Sequence, residues 1–294
     1  MTVDLLRLGR IGLLAAASAL AATTASAQTP IKFSLDFKFE GPAAPFVVAI
    51  DKGYFKAEGL DVTIDTAGGS LEPINRVASG TYDMGFGDIN SLIKFRDANP
   101  GTPIKAVFMV YNKPPFSIVG RKSRGVSAPK DLEGKKLGAP PPDGAYAQWP
   151  IFVKANDITV LLMADYGVNL YGNTIMVNPK FAAEKPEAVK GFIRAFIKGL
   201  NETIKNPSSA VESVIKRNDV AKKEVELERL QIALRDNILT PEVKKNGFGG
   251  VEDARLDQSI DQIALTYQFK NPKPKSADAF DSSFLPPMAD RKAP

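Results

Sequence analysis

The sequence predicts an α/β protein built on a mostly parallel sheet. Short apolar runs of strand type alternate with helical segments from Ile31 to Tyr111, and turn residues mark each change. The pattern then restarts after Asn112-Lys113-Pro114-Pro115, which reads as a crossing between two lobes. Sheets of this kind bind ligands beyond the carboxyl ends of their strands, where helix N-termini point.

Each element has its own signal. In Ile31 to Phe37, alternation puts Ile31, Phe33 and Leu35 on one face, which is a strand pattern. Gly41-Pro42 opens a helix carrying Phe46, Val47, Ile50, Tyr54 and Phe55 at helical spacing, ending at Glu58-Gly59. Leu60 to Ile64 is a second strand, Gly68-Gly69-Ser70 a turn, and Leu71 to Ser79 a short helix. Met84 to Gly87 is a third strand, Asp88 caps a helix to about Ala98, and Ile104 to Tyr111 is a fourth strand. Beyond the crossing, strands are expected at 116–120, 136–139, 160–163 and 174–177, with helices from Ala128 and Gly144. From Pro186 the chain turns helical. Val189, Phe192, Ile193, Phe196, Ile197 and Leu200 form one stripe, and helices follow over 211–215, 225–239 and 256–267. The proline-rich end, 271–294, is expected to wrap a surface or fray.

The first 27 residues read as an export signal. Arg7 and Arg10 precede an apolar run from Ile11 to Ala22, and Ala25-Ser26-Ala27 offers small residues for cleavage near Ala27. The run is too short for a membrane span. The expected location is therefore the periplasm. The net charge is +5; Arg7 and Arg10 against Asp4 place +1 in the leader, leaving +4 beyond it. Basic residues are spread out and form no nucleic-acid stripe, so no nucleic-acid partner is expected. The chain has no cysteine and no histidine. That excludes disulfides, thiolate zinc sites, a cysteine nucleophile and the Ser-His-Asp triad, and argues against an enzyme. No Walker loop, dinucleotide fingerprint or calcium loop occurs, and no cofactor or metal is expected.

Three stretches carry a family resemblance. Pro45 to Val62 (PFVVAIDKGYFKAEGLDV), Ala78 to Asp88 (ASGTYDMGFGD) and Pro129 to Gly138 (PKDLEGKKLG) resemble, in that order, the nitrate/sulfonate/taurine-type solute-binding proteins. That group includes the binders of thiamine pyrimidine precursors. The resemblance implies a two-lobed periplasmic binding protein of type II topology, a monomer that closes on a small-molecule solute and docks transiently on an ABC permease. It departs from the family near 156–159, where Lys154-Ala155-Asn156 runs straight into Asp157-Ile158-Thr159-Val160 as though one βαβ unit of about 30 residues were absent. The expected organisation is signal peptide 1–27, first lobe 28–112, a shortened second lobe 113–178, read as incomplete or alternatively as remodelled but sufficient, and a return to the first lobe over 179–294. Two alternatives stand beside an importer subunit. One is a truncated or sensory relative that no longer binds tightly. The other is an enzyme of the pyrimidine-synthase type, which shares the fold but relies on histidine-bearing motifs.

Candidate ligand residues follow from the strand ends. Gly69 and Ser70 would present a helix N-terminus to the cleft, or form an ordinary turn. Asp88, with Asn90 behind it, either caps its helix or offers a carboxylate to an amine, amidine or aminopyrimidine edge. Phe37 belongs to the core by alternation or to the rim by position, whereas Phe39, past the strand, makes the better stacking platform. Glu40 shares that rim, and Tyr111 closes the fourth strand. From the second lobe come Asp143, Tyr146 and Asp165; Trp149 reads as core. Aromatic and acidic residues at the best-placed positions, with no arginine among them, argue for a flat aromatic or nitrogen-bearing solute over a bare oxyanion.

Overall fold

The computed structural model describes residues 27–116, 125, 131, 138–139, 143–144, 146, 148–149 and 170–294. The expected leader up to Ser26, most of the strands expected at 116–120 and 136–139, the strand expected at 160–163, most of the helix opening at Ala128, the junction at 154–160 and Asp165 lie outside the described residues.

One five-stranded sheet organises the rest, in the order β2-β1-β3-β5-β4. Its strands are β1 (Thr29–Ser34), β2 (Leu60–Asp65), β3 (Met84–Asp88), β4 (Lys105–Met109) and β5 (Asn173–Val177). β1 pairs parallel with both β2 and β3. β5 runs antiparallel between β3 and β4. The reading of a mostly parallel sheet therefore holds, with one inserted strand that periodicity cannot reveal. The placement of 113–178 in a second lobe needs a matching correction. Residues 173–177 lie inside the first sheet, between β3 and β4, and all five are buried. Burial on both faces is what an interior strand shows, whereas in the edge strand β2 buried or half-buried positions alternate with exposed ones.

Helices cover the sheet. α1 (Ala44–Asp51) and α2 (Tyr54–Ala57) were expected as one helix, but Gly53 at φ 69° turns the chain between them. α3 (Leu71–Ala78) and α4 (Ile89–Ala98) complete the parallel crossovers. After β5 come α5 (Pro179–Glu184) and α6 (Pro186–Lys205). The α6 stripe Val189, Phe192, Ile193, Phe196, Ile197 and Leu200 is buried throughout, as its spacing predicts. It packs Phe192 on Phe33 at 4.9 Å and Phe196 on Phe46 at 4.5 Å between ring centres. α1 and α6 approach closely at Gly199, where any Cβ would stand 2.3 Å from the Pro45 carbonyl oxygen.

The remaining helices are α7 (Pro207–Ile215), α8 (Lys223–Ile232), α9 (Pro241–Asn246), α10 (Asp253–Ala264) and α11 (Ser276–Ala279). The helix expected over 225–239 is α8 followed by a π-helical turn, Ala233–Ile238. The C-terminal segment wraps the body. Asp97 accepts from the Lys270 and Asn271 amides, Phe280 is buried beside β4, and the Arg291 guanidinium donates to the Asn246 and Phe248 carbonyls. Among the described residues no helix is long and apolar enough to cross a membrane.

Candidate functional site

A cavity of about 300 Å³ opens at the carboxyl ends of β1, β3 and β4. Its walls come from the 35–43 loop, from Phe86 on β3, and from Tyr111 and Pro115 at the crossing. The location follows from topology: parallel strands aim their carboxyl ends at one edge, and the loops leaving them must rise there.

The loop after β1 supplies most of the chemistry. Phe37 lies on the rim and is 38% exposed, so it leaves the alternation that would have placed it in the core. Phe39, the platform expected on sequence grounds, instead packs against the core and gives its carbonyl to the Asn218 amide. The two phenylalanines exchange roles because alternation stops at Leu35 and the chain bends over Asp36. Glu40 lines the cavity but is engaged by Arg229 at 3.0 Å, and Arg229 also holds the buried Glu226 at 2.9 Å. Burial pushes the Glu40 carboxyl up, against the lowering influence of Arg229.

Asp36 is the residue that sequence reasoning missed. It lines the cavity and accepts from Asn173 Nδ2 at 2.5 Å. Burial raises its pKa to about 7, and the Asp143 charge adds to that shift. The available signal was positional, since Asp36 lies two residues past the end of β1. Beneath it, Asn173 is 1% exposed, and its Oδ1 has no donor among the described residues. Tyr111 is buried, with its ring edge-on to Phe86 at 5.4 Å. Its hydroxyl hydrogen-bonds to none of the described residues, and burial followed by the Asp36 charge pushes the phenol up. Lys38, also missed, brings a cation to the rim.

The other expected residues lie elsewhere. Asp88 is fully buried and caps α4, accepting from Ser91 N, Ser91 Oγ and Asn90 Nδ2, each at 2.8 Å, and from Gln148 Nε2 at 3.0 Å. Of its two sequence readings, the capping one describes the structure, and Asp88 is absent from the cavity wall. Asn90 is likewise buried and bridges Asp88 to the Tyr171 carbonyl. Gly69 and Ser70 form the turn into α3; Ser70 is buried against Gly87 and makes no side-chain cap, while Glu72 accepts from the Gly68 amide. Asp143 is half-buried and close enough to Asp36 to act on its charge, and Tyr146 is 57% exposed on a helical turn. Trp149 packs partly buried against the second apolar cluster, as its spacing suggests.

Sheet order, inserted antiparallel strand and cavity position together define the fold of the periplasmic binding proteins. The chain belongs to the NMT1/THI5-like family, whose sequence model matches residues 42–149 and 143–210. A formylaminopyrimidine-binding protein of Halalkalibacterium halodurans is 25% identical over 80% of this chain and 84% of its own length. The riboflavin-binding protein RibY of Chloroflexus aurantiacus is 25% identical over 58% of this chain, and the match spans 61% of RibY. Synthases of 4-amino-5-hydroxymethyl-2-methylpyrimidine phosphate match shorter stretches, such as 57% of this chain for that of Legionella pneumophila. Among solved structures, the periplasmic nitrate-binding protein NrtA of Synechocystis superposes with a TM-score of 0.63 at 12% identity, covering 87% of each chain.

Proposed function

We propose that this chain is an extracytoplasmic solute-binding subunit of an ABC importer that captures a flat, aromatic or nitrogen-bearing solute and hands it to an inner-membrane permease. The observation that carries the reading is the cavity wall itself: a partly exposed Phe37 ring, a Tyr111 hydroxyl with no partner among the described residues, and the Asp36 carboxyl, gathered at one edge of the sheet. A planar solute would cover the Phe37 ring, and aromatic stacking contributes about 0.5–1.5 kcal/mol beyond area burial. The carboxyls of Asp36 and Glu40 favour N–H donors, whereas a bare oxyanion would meet two acids and one lysine. The volume, about 300 Å³, suits a single small heterocycle. The two binding-protein relatives take nitrogen heterocycles by name, which agrees with this class.

The test is a thermal-shift screen of the purified chain against riboflavin, formylaminopyrimidine, nitrate and an alkanesulfonate. A ligand at 100 times its dissociation constant adds about 2.7 kcal/mol to stability. A midpoint rise confined to the heterocycles is expected. A larger rise with nitrate or the sulfonate would overturn the solute class, and a cooperative melt that no solute moves would overturn binding altogether.

A further inference from the structure

Behind the cavity, both chain crossings pass through one cage of side chains. The outgoing crossing is Tyr111-Asn112 and the returning one is Leu170-Tyr171-Gly172. They touch backbone to backbone: Gly172 N donates to the Tyr111 carbonyl at 2.9 Å, and the Val110 and Tyr111 amides both donate to the Asn173 carbonyl. A Cβ at Gly172 would stand 2.9 Å from Pro114 Cα, so this contact requires glycine.

Arg255, from α10, occupies the centre. Its Nη2 donates to the Asn112 carbonyl at 2.7 Å and to the Leu170 carbonyl at 3.0 Å, so one nitrogen holds both crossings. Its Nη1 donates to Asn112 Oδ1 at 3.0 Å and Glu242 Oε2 at 2.7 Å. The guanidinium carbon lies 4.0 Å from the centre of the Tyr171 ring. Glu242 closes the cage, accepting from Tyr171 Oη at 2.6 Å and Asn112 Nδ2 at 2.9 Å. The ion pair is mostly buried, with side-chain exposures of 10% and 15%. A buried pair of this kind is poor evidence for stability, because desolvation offsets the attraction; what it supplies is fixed geometry. The planar fork and the ring stacking are properties of arginine that lysine lacks.

We propose that Arg255 is a positioning residue that clamps the two crossings together and thereby sets the cavity wall at Tyr111 and, through Asn173, at Asp36. Tyr111, a wall residue, adjoins Asn112, and Asn173, three residues beyond Leu170, holds the Asp36 carboxyl of the wall from beneath. The inference rests on the proposed binding function only for its ligand readout. An affinity is lowered in proportion to the fraction of molecules whose site is already assembled. Loosening the clamp should therefore weaken every solute by one common factor, whereas a change in the wall itself should alter their ranking.

The experiment is residue-resolved amide hydrogen exchange on the full chain and its Arg255→Lys and Tyr171→Phe variants, with titrations of riboflavin and formylaminopyrimidine. In Arg255→Lys, the Tyr111 and Gly172 amides should exchange about tenfold faster while Phe33, inside β1, is unchanged, since local opening is separable from global unfolding. Both affinities should fall with their ratio preserved. Tyr171→Phe keeps the stacking ring and should show the same pattern more weakly, which keeps the test decisive if the lysine variant does not fold. Unchanged exchange at the crossings in a folded variant, or a shift in the affinity ratio, would overturn the clamp. If neither compound binds the unsubstituted chain, the binding proposal fails and exchange alone decides the clamp.

Discussion

Two aspartates at the carboxyl ends of neighbouring parallel strands show how position alone separates structure from chemistry. Asp88 ends β3 and runs straight into α4. Four donors surround it and none of its surface reaches solvent. Asp36 follows β1 and runs into a bent loop, where no helix begins until the 3-10 turn at Gly41. Its carboxyl is left on a cavity wall where, among the described residues, Asn173 is its one side-chain donor, beside the local Asp36 and Phe37 backbone amides. A carboxylate that caps a helix is already committed to backbone N–H groups, whereas one stranded before a loop keeps acceptor capacity for something else.

The largest expected effect tests that contrast. Asp88→Ala removes the cap and strands the Ser91 amide and hydroxyl together with the Asn90 and Gln148 side-chain amides. A loss of about 3 kcal/mol is expected by urea denaturation, since buried donors left without acceptors carry most of the penalty. Asp36→Asn should behave in the opposite sense, and with a pH signature. The folded carboxyl titrates near 7 against an ordinary value of 3.8. Between those values the folded state holds the proton more tightly than the unfolded chain. Wild-type stability should accordingly be fully present below about pH 4, fall as pH rises to about 7, and level off above. The amide never ionises, so denaturation from pH 4 to 8 should show the variant gaining on wild type across that window. A constant difference between the two would remove Asp36 from the titrating groups.

How far this was legible in sequence depends on the range of the forces involved. Strands and amphipathic helices rest on period and on local turn residues, so β1 to β4 and the α6 stripe could be read directly. β5 was legible as a strand but not as an interior strand of the first sheet, because its neighbours lie more than 60 residues upstream and pairing leaves no local mark. At the site, the rim position of Glu40 and Tyr111 followed from strand ends. Phe37 and Phe39 were harder: alternation cannot say where a strand stops, and one bend exchanges the inward and outward residues. Asp36 carries no signal of its own, because the strand pattern read over Ile31 to Phe37 makes it an ordinary strand position on the face opposite Ile31, Phe33 and Leu35. Only the Asn173 contact and the cavity beside it, both tertiary, mark it out. The Arg255 cage joins residues more than 140 positions apart and had no sequence signal.

A smaller effect sharpens the comparison between the two phenylalanines. Phe39→Ala should cost about 2 kcal/mol of stability, because its ring packs on the core. Phe37→Ala should change stability by less than about 0.5 kcal/mol, as exposed substitutions do. It should instead weaken a heterocyclic solute about tenfold, the value of a lost stacking face. Denaturation and titration of the same two variants check both halves. Equal stability losses would mean that Phe37 belongs to the core, as its alternation first suggested.

The smallest structural effect is expected at Tyr111, and it isolates the hydroxyl from the ring. The ring is buried against Phe86 and should be retained. Its hydroxyl has no partner among the described residues, so Tyr111→Phe removes a polar group that none of them satisfies. Deleting such a group is close to neutral or slightly stabilising, because no hydrogen bond is lost and a desolvated oxygen is gone. If the hydroxyl serves the solute, the same change should lower affinity by about 1 kcal/mol, the worth of one neutral hydrogen bond. An affinity loss without a stability loss would assign the hydroxyl to the ligand. A stability loss without an affinity loss would return Tyr111 to the core and leave Asp36 and Phe37 as the recognising pair.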